Sequence, residues 1–71
     1  MELTMLYKDG GSGAEGCPSV YLADTGELVV QGAQLAPEDF SALHNPFPGE
    51  TAVRIDPEVL IGALQRYQAD R

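Results

Sequence analysis

The chain is 71 residues long and carries a formal net charge of −7, from eleven Asp and Glu against four Lys and Arg. That length holds one domain, residues 1–71, with a small core, and the charge opposes direct binding to nucleic acid, which needs clustered cations to displace counterions. Cys17 is the only cysteine and His44 the only histidine, which excludes a disulfide staple and leaves too few ligands for a structural zinc site.

Leu3, Met5 and Tyr7 alternate with Thr4, Leu6 and Lys8, the two-residue period of a first strand. The ten residues from Asp9 to Pro18 include four of the eight glycines and read as a loop. Residues 19–23 and 28–32 then flank Asp24-Thr25-Gly26-Glu27, turn chemistry with glycine where positive φ is cheap. This pair is the clearest hairpin in the chain. Val20 and Leu22 are expected on one face with Leu28 and Val30, and Tyr21 and Ala23 on the other with Val29 and Gln31. Residues 37–43 read as a short helix, opened by Pro37 and by Glu38 and Asp39 in its first turn. Pro46, Pro48 and Gly49 end it. Residues 51–55 alternate again and read as a strand. Asp56 follows as an N-cap, Pro57 as a first helical position, and Glu58 as an acid placed well against the helix dipole. Val59, Leu60, Ala63, Leu64 and Tyr67 then recur at helical spacing. The expected fold is α+β: a small antiparallel sheet of about four strands with two helices, in the order β-β-β-α-β-α, the last helix packed on a sheet face. Of the five aromatics, at least three are expected in the core, because so small a domain has little else to bury.

A small domain without staple or metal usually leans on a partner, so self-association is expected. The terminal helix or the exposed sheet face supplies the candidate interface. Leu60, Ile61, Leu64 and Tyr67 widen the helix's apolar stripe beyond the roughly 100° that a surface helix requires. No segment approaches the ~20 apolar residues of a membrane span. The acidic start, Met1-Glu2, is unlike a signal peptide, and a lone thiol suits a reducing compartment. A cytoplasmic protein without membrane contact is expected.

Catalytic and ligand chemistry find little support. Gly11-Ser-Gly13-Ala-Glu-Gly16 matches a dinucleotide-binding pattern by letter, but that motif must open a helix whose N-terminus holds the pyrophosphate. Here Cys17-Pro18 leads into a strand, and Glu15 would repel phosphate. Cys17 reads as a small residue at a strand start, and His44 as a surface group near a helix end. Glu38 and Asp39 are adjacent, diverge on a helix, and are explained by the dipole. No catalytic residues, no metal ligands and no cofactor are expected. The competing possibility is a small enzyme or ligand-binding protein that uses the glycine-rich loop with Cys17 or His44.

Tyr7-Lys8-Asp9, the loop with Gly13-Ala-Glu-Gly16, the run Cys17-Pro-Ser-Val-Tyr-Leu-Ala-Asp24, and the close Ala52-Val-Arg-Ile-Asp-Pro57 together resemble one group of small actinobacterial proteins. These are the BldB-like domains, commonly encoded beside Xre-type helix-turn-helix regulators. The chain differs from that pattern in having Tyr7 and Leu60 where tryptophan is usual, and in a segment from Pro37 to Pro48. The resemblance implies a homodimeric, non-enzymatic regulatory module, antitoxin-like or an accessory partner of a helix-turn-helix transcription regulator. It carries over no catalytic or metal residue.

Overall fold

The structure, a computed structural model, describes residues 1–9 and 18–69. Its centre is the hairpin of β2 (Ser19–Ala23) and β3 (Leu28–Gln31), two runs rich in β-branched and aromatic residues. They pair antiparallel with Val20 opposite Val30 and Leu22 opposite Leu28, the facing expected from alternation. The turn between them is closed by the Gly26 N–H donating to the Ala23 carbonyl at 2.9 Å and the Ala23 N–H to the Glu27 carbonyl at 2.8 Å. Gly26 stands at φ +92°, a region that costs a residue with a Cβ about 1–2 kcal/mol.

Strand β1 (Leu3–Lys8) pairs antiparallel on the far side of β2, giving the order β1-β2-β3. Its register breaks once. Met5 lies opposite Tyr21 and Tyr7 opposite Val20, so Leu6 is an additional residue with no partner in β2. A bulge of this kind moves the strand's pleat by one. Leu3 and Met5 therefore lie on the open face with Ala23 and Tyr21, whereas Leu6 and Tyr7 both turn to the helix side. Leu6 is buried with Val20, Val59 and Ala63 in the core cluster, and Leu22 and Tyr67 pack at its margin.

The helix α1 (Pro57–Ala69) forms where its caps predict. The Asp56 carboxylate accepts the Glu58 N–H at 3.1 Å, satisfying one of the helix's free donors. Val59 and Ala63, four residues apart, are its buried residues, and the helix packs on β1 and β2. The contact is close because Gly62 faces the Tyr7 ring: a Cβ there would stand 2.5 Å from two ring carbons.

Between β3 and α1 lies a second, two-stranded antiparallel sheet, β4 (Ala33–Gln34) and β5 (Val53–Arg54), with Ala33 opposite Arg54. The Leu35 N–H donates to the Ala52 carbonyl at 2.9 Å and extends this ladder. A 3-10 helix, Pro37–Ala42, fills the excursion between the two strands. No extensive packing joins the second sheet to the first or to α1. The radius of gyration is 13.3 Å, against about 11 Å for a compact domain of this length.

The fold is thus α+β, with antiparallel strands and two helices. The strands divide three and two because β4 takes β5 as its partner and neither joins the first sheet. The first helix is of the tighter 3-10 type and ends after six residues. The expectation of an aromatic core does not hold. Tyr7 and Phe47 are exposed, Tyr21, Phe40 and Tyr67 are half-buried, and none is enclosed. The Tyr7 ring lies against Gly62 at the helix–sheet contact yet stays 40% exposed, and the enclosed positions are taken by Leu6, Val20, Val59 and Ala63.

Candidate functional site

The tight seating of α1 determines what the rest of the helix presents. Successive residues turn by about 100°, so Gly62 lies on one flank and Leu60 and Leu64 on the other. Gly62 meets Tyr7 of β1. Leu60 and Leu64 therefore look toward β3, and Ile61 lies farther round, away from the sheet. All three are exposed, Ile61 at 54%. Tyr67, the fourth residue expected at an interface, packs against the core margin and is half-buried.

Strand β3 adds to this strip. Leu28 and Val30 share the helix side of the sheet with Leu22 and Val20, yet both are 37% exposed. The cause is lateral placement: α1 packs on β1 and β2 and has no extensive contact with β3. The opposite face is apolar too. Leu3 and Met5 are exposed there beside half-buried Tyr21 and Val29. The Tyr21 hydroxyl donates to Gln31 Oε1 at 2.6 Å, which fixes that ring along the sheet.

The polar candidates form no comparable site. Cys17 and the glycine-rich loop at residues 10–17 lie outside the described residues, and so does any pairing of Cys17 with His44. His44 lines a shallow recess of about 370 Å³ with Leu43, Pro46, Glu50, Thr51 and Ala52. Its Nε2 lies 3.4 Å from the Asn45 side-chain amide, and Glu50 Oε1 accepts the Phe47 N–H at 2.9 Å. Both side chains are thus engaged in local turn structure. Among the described residues no three His, Cys, Asp or Glu side chains come together to hold a metal. Every buried side-chain polar atom there has a hydrogen-bond partner.

Sequence reasoning found the α1 residues through the excess width of the helix stripe. It offered an exposed sheet face as the alternative but did not name Leu3, Met5, Leu28 or Val30 as its exposed residues. The available signal was a hairpin apolar on both faces with one helix to cover it. No helix among the described residues is long and apolar enough to cross a membrane. No protein-family model, curated protein or solved structure matches the chain.

Proposed function

We propose that this chain is a non-enzymatic, homodimeric interaction module of the cytoplasm, an antitoxin-like or accessory partner of a helix-turn-helix transcription regulator. The observation that carries the reading is the ratio of apolar surface to core. Among the described residues the buried apolar side chains are Leu6, Val20, Ala23, Val59 and Ala63, while ten large apolar ones are exposed. The chain exposes 5466 Å², where a compact monomer of its mass would expose about 4,300 Å². Isolated apolar residues on a surface are ordinary, but contiguous ones mark contact sites. The helix-turn-helix partner is drawn from the resemblance, and the −7 charge suits a basic protein bound away from the apolar strip.

The neighbouring gene is the first test of the reading, and co-expression with a helix-turn-helix protein found there is the second. A complex is expected by size exclusion with light scattering, and the double variant Cys17→Ala, His44→Ala should form it equally well. A folded double variant that no longer binds would move the activity to the glycine-rich loop and the recess, the enzyme or ligand reading. Absence of any complex with the wild-type chain would reject the regulator partnership.

A further inference from the structure

The first sheet has two edges, and only one of them is guarded. Strand β1 carries the bulge at Leu6 and ends in Lys8, two devices that discourage another strand from pairing. Strand β3 reads Leu-Val-Val-Gln, with no charge, proline or bulge. Among the described residues its outer side pairs with no strand.

The backbone groups at that edge can be named. The bond from the Ala23 N–H to the Glu27 carbonyl makes these two a hydrogen-bonded pair. Antiparallel pairs alternate, so Tyr21–Val29 and Ser19–Gln31 are bonded pairs as well. The N–H and C=O of Leu28 and of Val30 consequently point away from β2. Their side chains lie on the helix side and are exposed, and helix geometry turns the Leu60 and Leu64 flank of α1 toward that edge.

We propose that β3 pairs antiparallel with β3 of a second copy, across a two-fold axis at Val29, joining two three-stranded sheets into one of six. The inference rests on the homodimer reading above and says where that dimer forms. Leu28 of one copy then lies opposite Val30 of the other, the register that engages both outward-facing residues of each strand. It also sets Glu27 opposite Gln31 and not against another acid, which matters between subunits of charge −7 each. Both α1 helices fall on the same side of the joined sheet, and the four Leu28 and Val30 side chains become one patch between their apolar flanks. A second copy fits this edge better than a basic protein does, because the strip has no acidic side chain to recognise a cation. The apolar surface supports the occupant: Leu28, Val30, Leu60 and Leu64 are all exposed, and a second copy brings the same apolar side chains to meet them.

A cysteine placed on the axis reads the register directly. Opposed residues of a non-bonded antiparallel pair have Cα atoms about 4.5 Å apart, within the range a disulfide spans. In a Cys17→Ser background, Val29→Cys should cross-link to a dimer under mild oxidation, whereas Leu3→Cys, on the guarded strand, should remain monomeric on a non-reducing gel. Leu28→Lys, at a site already exposed, should keep the circular dichroism of the fold and lose the dimer mass in light scattering. If the wild-type chain has dimer mass but Val29→Cys does not cross-link, or folded Leu28→Lys stays dimeric, pairing through β3 is wrong and the homodimer stands. A wild-type chain of monomer mass overturns both.

Discussion

A Cβ at Gly62 would stand 2.5 Å from two carbons of the Tyr7 ring and 3.0 Å from a third, so the whole ring, and not merely its tip, would have to shift. Two effects of Gly62→Ala then compete. Alanine favours the helix by about 1 kcal/mol, and overpacking a close contact costs about 1–3 kcal/mol. The clash should win, with a net loss of roughly 1 kcal/mol in urea unfolding. In a Tyr7→Ala background the sign should reverse, because only the helix propensity remains. Equal effects of Gly62→Ala in both backgrounds would show that this contact does not set the spacing of helix and sheet.

At the scale of elements, what was legible in the sequence was local. The β2–β3 hairpin is specified by Asp24, Thr25 and Gly26, and the start of α1 by Asp56, Pro57 and Glu58, all within a few residues of the structure they make. Asp56→Ala should lower stability by about 1 kcal/mol, and Asp56→Asn should recover most of it, measured as a shift of the urea midpoint at constant slope. What was not legible depended on distant pairing. The bulge at Leu6 exists only relative to β2, and two-residue β4 is a strand only because Val53 and Arg54 return to it. Six residues from Pro37 to Ala42 are too few for periodicity to separate a 3-10 from an α-helix. The candidate site divides in the same way. Leu60, Ile61 and Leu64 were visible as surplus on one helix, whereas the exposure of Leu28 and Val30 follows from where α1 lies across the sheet.

For the molecule as a whole, the large enclosed side chains among the described residues are Leu6, Val20 and Val59, so the proposed dimer would have much to contribute to stability. Folding should therefore be linked to concentration: the thermal midpoint of the wild-type chain should rise with protein concentration across the micromolar range, as mass action requires of a dimer. Charge sets the direction of a second dependence. Each subunit brings −7, and the screening length falls from about 10 Å at 0.1 M salt to about 3 Å at 1 M. Dimerisation through an apolar strip should tighten as salt is added, read as a falling dissociation constant by sedimentation. Weakening with salt would instead mark an interface held by ion pairs.

The bulge in β1 also gives that strand a parity. On the chain's side toward Met1, odd-numbered apolar residues Leu3 and Met5 look outward; past the break, Leu6 and Tyr7 look inward. Removing Leu6 would close the ladder into regular alternation and leave every remaining pair with β2 as it is. Leu3 and Met5 would stay opposite Ala23 and Tyr21 and keep their outward facing, and only the Leu6 side chain would leave the core. A single-codon deletion and a truncating substitution at Leu6 are therefore kindred events: each empties one place in the core, and neither exchanges the two surfaces of the sheet.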